Sequence, residues 1–257
     1  MRVLAFRKRL GSVQNKRRGI MRKTAMKGME KPSAEQVKIY LNKWKNQEKY
    51  DSQEKAIEKL FAEHPNNTEL GDVLLKVAVL NDFYSTNIYD TYSVAKHICS
   101  IKGIDERLAR GDESLVNEIQ TIKIGNKIKH FYSFATKYCS HHNQIEYPIF
   151  DSYVDTILCF YKKVFKFYEF AEEDLKDYEK FKVVLKKFMD FFQLNDFTVK
   201  QIDQYLWQIG KNLSLIEDII IECYSKTEDL QETEKMIYKE YGFSIQEDYI
   251  RQIVEIK

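Results

Sequence analysis

Val73-Leu-Leu-Lys-Val-Ala-Val-Leu-Asn-Asp-Phe-Tyr84, then Ser85-Thr86-Asn87, then Ile88-Tyr-Asp-Thr-Tyr-Ser-Val-Ala-Lys-His-Ile98, is the stretch that decides the fold. Its first twelve residues are apolar almost all round, lack Gly and Pro, and outrun an ordinary strand, which predicts a buried central helix. The polar break ends that helix, and the next run predicts another from about Ile88 to Ser100.

Working upstream, Ser33 is placed to cap a helix through about Gln47, with Val37, Tyr40, Leu41 and Trp44 on one face. Ser52 and Lys55–Glu63 predict another helix, closed by His64-Pro65-Asn66-Asn67. Downstream, Asp105–Arg110 and Glu113–Ile122 read as two short helices split at Gly111-Asp112. Lys127–His141 reads as one long helix with Phe131, Phe134, Ala135 and Tyr138 on a face. Pro148 makes Glu146–Phe150 extended, and Asp151 or Ser152 then caps a helix to about Phe170. Further helices are expected at about 172–192, 198–210, 214–225, 228–241 and 244–256, with Gly210 and Gly242 at C-termini. No internal repeat is apparent. The expected architecture is all-α, with a helical domain over 30–211 and a C-terminal helical extension over 212–257 packed on it.

Composition agrees. The 257 residues hold only 9 Gly and 3 Pro, too few for the turns of sandwiches, propellers or Gly-rich nucleotide folds. Hydrophobic residues at 44% and aromatics at 14% fill a core, and 31% charged residues cover a surface. No run of 18 apolar residues occurs, which excludes a spanning helix. Cys99, Cys139, Cys159 and Cys223 form no Cys-x-x-Cys pair, so no zinc knuckle or iron–sulfur loop is visible. Without a secretory signal, these isolated thiols point to a reducing cytoplasm.

The net charge of +2 conceals an asymmetry. Residues 1–29 carry ten basic side chains and no acid, leaving 31 basic against 39 acidic in 30–257, a net of −8. Three readings of this basic tail stand. It is a disordered extension or a misassigned start ahead of Met21, Met26 or Met29, a nucleic-acid arm, or an organelle presequence.

The chemistry-bearing segment is Tyr132–Leu158, YSFATKYCSHHNQIEYPIFDSYVDTIL. A helix ends near paired histidines, and an extended connector delivers Asp151 to a new helix N-terminus, where dipole and unpaired N–H groups favour the anion. Facing a cleft, such a carboxylate is suited to stabilising a cation or orienting a water; otherwise it only caps its helix. Lys129, Ser133, Lys137 and His141 follow at i, i+4 on one helix face, as a site wall or as a solvated stripe. His141 and His142 point apart on a helix and make a poor metal pair, and His97 reads as structural. Asp203, Tyr205, Leu206, Trp207, Gly210 and Lys211 line a cleft or pack a core.

The connector YPIFDSYVDTIL resembles the catalytic-aspartate segment of the helix-hairpin-helix DNA glycosylase superfamily, most nearly its adenine-mismatch branch. The segment VLLKVAVLNDFYSTNIYDTYSVAKHI is similar to that superfamily's buried helix, polar break and following helix. The resemblance implies release of a damaged, modified or mispaired base from duplex DNA, with Asp151 stabilising an oxocarbenium-like sugar or orienting water. It implies that Ser85, Thr86 and Asn87 enter the DNA beside a flipped nucleotide, with Phe83, Tyr84, Tyr147 and Tyr153 available to stack on the base. Lys127, Ser133 and His141 are further candidate contacts to nucleic acid. No cofactor and no metal site is expected. The chain departs from the family where a Gly-rich turn should precede the catalytic helix; Lys127-Ile128-Lys129-His130-Phe131 stands there. Lys137 and Lys129 are the candidate amines, but two turns apart on a helix they depress each other's pKa little, so the expectation is a monofunctional, water-using site. Two other classes compete: a non-catalytic nucleic-acid-binding module, and a helical interaction protein. The stretch 212–257 is an expected docking helix pair for a partner or a second copy.

Overall fold

The computed structural model describes residues 31–241, 245 and 247–255. The expectations for the tail 1–29 and for Gly242 lie outside the described residues. Two compact units divide between Trp207 and Gln208, one of residues 32–207 and one containing 208–257.

In the first unit, α1 (Ala34–Lys45) is capped by Ser33, whose Oγ accepts from Gln36 N at 3.3 Å. Helix α2 (Glu48–Glu63) buries Ile57 and Phe61. Helix α3 (Leu70–Tyr84) buries Val73, Lys76, Val77 and Leu80, but Leu75 is 46% exposed, so one stripe of this apolar helix meets water. Asp90 caps α4 (Thr91–Cys99) through Ser93 N at 3.0 Å. Helices α5 (Ile104–Ala109) and α6 (Ser114–Gln120) meet around Gly111, which holds φ 75°. A Cβ there would lie 2.7 Å from Glu146 Cβ, so the turn needs glycine twice over.

The expected helix from Lys127 is corrected. Strands β1 (Thr121–Ile124) and β2 (Lys127–His130) form an antiparallel hairpin, and α7 (Tyr132–His142) begins only after it. Lys127 and Lys129 are therefore strand residues, and Lys129 leaves the helical stripe of Ser133, Lys137 and His141. The cause is turn chemistry: Gly125-Asn126 is a two-residue hairpin loop, with Gly125 at φ 59°.

Asp151 caps α8 (Ser152–Phe165), which stops at Lys166 in the left-handed region, φ 53°, five residues before the expected end at Phe170. A 3-10 turn (Glu172–Lys176) and α9 (Tyr178–Phe191) replace the single helix expected over 172–192. The helices expected over 198–210 and 214–225 are one, α10 (Val199–Thr227), and Gly210 lies inside it rather than at an end. Buried Ile209, Leu213, Ile216 and Ile220 keep the three-and-four spacing through the glycine, outweighing its cost of about 1 kcal/mol. In the second unit, α10 joins α11 (Leu230–Tyr241) and α12 (Glu247–Glu255) around Ile216, Ile219, Ile220, Cys223, Ile237, Ile245 and Ile250. Among the described residues no helix is long and apolar enough to cross a membrane.

One charged residue is built into the core of α3. Lys76 is fully buried, and its Nζ donates to His64 O at 3.0 Å, Asn66 O at 2.9 Å and Asn67 Oδ1 at 2.8 Å. Asn67 also accepts from the Tyr138 hydroxyl and donates to Asp105 Oδ1 at 2.6 Å. The lysine thus fastens the α2–α3 turn to the rest of the unit, although burial lowers its pKa to about 8. In Lys76→Met the His64 and Asn66 carbonyls lose their Nζ donor while Asn67 Oδ1 keeps the Tyr138 hydroxyl, so the change should cost on the order of 2 kcal/mol, read as a lower urea midpoint with unchanged slope.

Candidate functional site

The site is assembled by the extended connector ahead of α8. Phe150 N donates to Thr136 Oγ1 at 3.1 Å, and Phe150 O accepts from Lys137 Nζ at 3.4 Å, so the connector is stitched to the middle of α7. From the opposite side the Tyr178 hydroxyl donates to Pro148 O at 3.1 Å. Asp151 follows directly. Its Oδ1 accepts from Tyr153 N and Val154 N, each at 3.0 Å, and the side chain is 9% exposed. The structure therefore brings two of the expected residues, Asp151 and Lys137, into one buried cluster.

Lys137 is almost wholly enclosed. Its Nζ donates to Ser133 Oγ at 2.6 Å and weakly to Ser133 O and Phe150 O at 3.4 Å, and it lies 5.2 Å from the centre of the Tyr84 ring. Burial pushes its pKa down, opposed by the charges of Asp151 and Asp203. Ser133 thus anchors the amine. His141, one turn on, is hydrogen-bonded through Nε2 to the Tyr84 hydroxyl at 2.9 Å. Burial, with Lys200, His142 and Lys137 nearby, holds its pKa well below the ordinary imidazole value.

The remaining expected residues are placed differently. Lys127 and Lys129 are exposed on β2 and take no part in the buried cluster. Ser85 and Asn87 are exposed and left-handed, φ 51° and 58°, and Thr86 Oγ1 donates to Asn81 Oδ1 at 2.8 Å. This break starts one residue beyond Tyr84, the ring against Lys137, and is followed by Tyr89, 98% exposed.

Three residues of the cluster escaped the reading of the site from sequence: Glu54, Lys200 and, in its role, Asp203. Glu54 accepts from Lys200 at 2.8 Å, Trp44 Nε1 at 2.7 Å and Gln204 at 3.1 Å. The Lys200 and Glu54 side chains are each 15% exposed and border a cleft of about 300 Å³, also lined by Trp44, Gln144 and Gln204. Asp203, one turn after Lys200, has an Oδ1 shut from solvent that accepts no hydrogen bond among the described residues. Burial first, then the charges of Asp151 and Glu54, push its carboxyl up to about 7, against Lys200 and Lys137. A short periodic signal existed for Asp203 and Lys200, which share a helix face, but nothing local links either to Glu54. Among the described residues no group of three or more His, Cys, Asp and Glu is placed to hold a metal ion. The cluster holds a buried amine, a capped carboxylate and a second carboxylate whose Oδ1 has no partner among the described residues.

His142 gives this region a titration signature. Its ring packs on Phe61 at 4.8 Å and Tyr138 at 5.2 Å, its buried Nε2 finds no partner among the described residues, and burial pushes its pKa down to about 3. The unfolded histidine takes a proton near 6.5 that the folded one refuses, so this contribution to stability is lost on acidification between 6.5 and about 3. Asp203 acts oppositely, because its raised folded pKa adds stability as pH falls from about 7. Comparison of variants isolates the histidine: in His142→Leu, the stability difference between pH 7 and pH 5 should shift by about 2 kcal/mol in favour of pH 5, measured by denaturant melts.

Comparison with known proteins sets this site in a family. The HI_0787_N family, described as an N-terminal domain, matches residues 36–146, a span that contains Glu54, Tyr84, Lys137 and His141 and stops short of Asp151. An uncharacterised protein of Haemophilus influenzae is 49% identical over 148 residues, 58% of this chain and 71% of that relative. No solved structure matches the chain. With close to half of the aligned residues identical over more than two thirds of that relative, the chain belongs to the HI_0787_N family.

Proposed function

We propose that this chain is a DNA N-glycosylase-like enzyme, similar in architecture to the helix-hairpin-helix DNA glycosylases, that releases a damaged, modified or mispaired base. The observation that carries the reading is the buried Lys137 amine beside the capped Asp151. An amine attacks carbon only when neutral, and desolvation favours the neutral form. Burial pushes Lys137 toward that form without help from Lys129, against the charges of Asp151 and Asp203, so the reading moves from a water-using site to an amine nucleophile. Lys137 attacks C1′ of the sugar, and Asp151, fixed in place by two backbone N–H donors, faces the positive charge that develops there.

The surface fits duplex DNA as partner. Ser85, Thr86, Asn87 and exposed Tyr89 form a polar and aromatic prow one residue from Tyr84, suited to enter the stack where a nucleotide leaves it. Lys123, Lys127, Lys129 and His130 make the hairpin an acid-free basic ridge suited to phosphate. That ridge alone favours a second reading, a non-catalytic nucleic-acid-binding module working in the cytoplasm.

Borohydride trapping on a duplex with a preformed abasic site separates these readings. The wild type should form a covalent adduct, Lys137→Ala should lose it, and Lys129→Ala should keep it. Asp151→Asn, which retains a capping oxygen, should remain folded and lower base release by about 100-fold. Duplex binding without any adduct would leave only the binding module.

A further inference from the structure

Asp203 Oδ1 is a buried acceptor that receives no hydrogen bond among the described residues, and the donors named around it have other partners. Lys200, on its own helix, is paired with Glu54 of α2. Lys137 of α7 donates to Ser133 and Phe150, and the Tyr84 hydroxyl of α3 is bonded to His141. The N–H groups at the start of α8 are taken by Asp151. Yet Asp203 lies close enough to Tyr84, Lys137 and Asp151 for its charge to act on Tyr84 and Lys137 and to feel that of Asp151. A buried carboxylate oxygen without a donor is destabilising, and the fold retains it beside a buried amine.

We propose that Asp203 is the proton carrier of the site, taking the proton of the Lys137 ammonium and passing it to the base as it leaves. The inference rests on the reading of Lys137 as nucleophile. The Lys137 ammonium gives one proton to the Asp203 carboxylate, leaving a neutral amine and a carboxylic acid. The amine lone pair bonds to C1′ while the pair of the C1′–N bond departs with the base. The acid proton then goes to that nitrogen, and Asp203 is a carboxylate again. The sugar ring opens as the attached ammonium proton passes to O4′, giving the iminium at C1′. No oxidant or further reactant enters. A carrier must exist in both protonation states near neutrality, and Lys200 and Lys137 oppose burial and the charges of Asp151 and Glu54 so that the Asp203 carboxyl sits at about 7.

The proposal divides the reaction in two, because an abasic site has no base to protonate. The test uses full-length protein with duplexes carrying 8-oxoguanine, hypoxanthine or uracil, and a duplex with a preformed abasic site. Asp203→Asn should lower base release by about 100-fold, while borohydride trapping at the abasic site, which loses only the acceptor of the Lys137 proton, should fall by no more than about tenfold. Retained trapping also shows that the variant is folded. Asp203→Glu should recover base release in part, and the loss of wild-type base release as pH falls through about 7, where the carboxylate that takes the Lys137 proton is already protonated, should be absent in Asp203→Asn. If Asp203→Asn releases base at the wild-type rate, or loses trapping along with release, the carrier role is overturned while Lys137 as nucleophile stands. If the wild type neither traps at the abasic site nor releases any of the three bases, the underlying reading fails and this inference with it.

Discussion

The functional half of the molecule depends on the two bonds that tie Phe150 to α7. Thr136 takes the Phe150 N–H and Lys137 reaches its carbonyl, so a connector with no ladder of its own is held as firmly as a strand. Pro148 keeps that connector from entering a helix, and Tyr178 closes its outer side. Everything after it is placed by consequence. Asp151 must begin α8 where it does, and it must do so within the electrostatic reach of a lysine fourteen residues earlier.

Two buried lysines show how differently the same side chain is used. Lys76 meets three acceptors at 2.8–3.0 Å, the full complement of an ammonium, and serves as a rivet between α3 and the turn before it. Lys137 has one good acceptor and two at 3.4 Å, with a tyrosine ring over it and a second carboxylate nearby that it does not bond. The first arrangement secures charge; the second leaves it weakly held. That contrast, rather than burial itself, sets Lys137 apart from the structural Lys76 and underlies its proposed role as nucleophile.

Much of the fold was legible because its signals are local. Ser33 and Asp151 cap where their spacing says they should, and the apolar periodicity of α1, α3 and α9 survives intact. The hairpin was misread although its sign was present. Ile122 and Ile124 alternate with lysines around Gly125-Asn126, but Lys127-Ile128-Lys129-His130 before a strong helix looks like that helix beginning early. In the site, Asp151 was legible from Pro148 and its helix. The burial of Lys137 was not, since a lysine between Ser133 and His141 carries the pattern of a wetted stripe. Glu54 and Gln204 meet across 150 residues of chain, a pairing no window of sequence contains.

The hairpin has a consequence for how copies of this protein meet one another. Strand β2 is exposed along its whole length and pairs only with β1 in a two-stranded sheet, so its outer edge presents backbone groups to any passing strand. Ile128 at 65% exposure would add an apolar grip. Lys127 and Lys129 stand on either side of it, and two edges so charged repel when they approach. Colloidal behaviour is thus written into the same residues that the proposed reading turns toward phosphate: neutralising them to clean up a binding assay would also remove what keeps crowded copies of the chain apart.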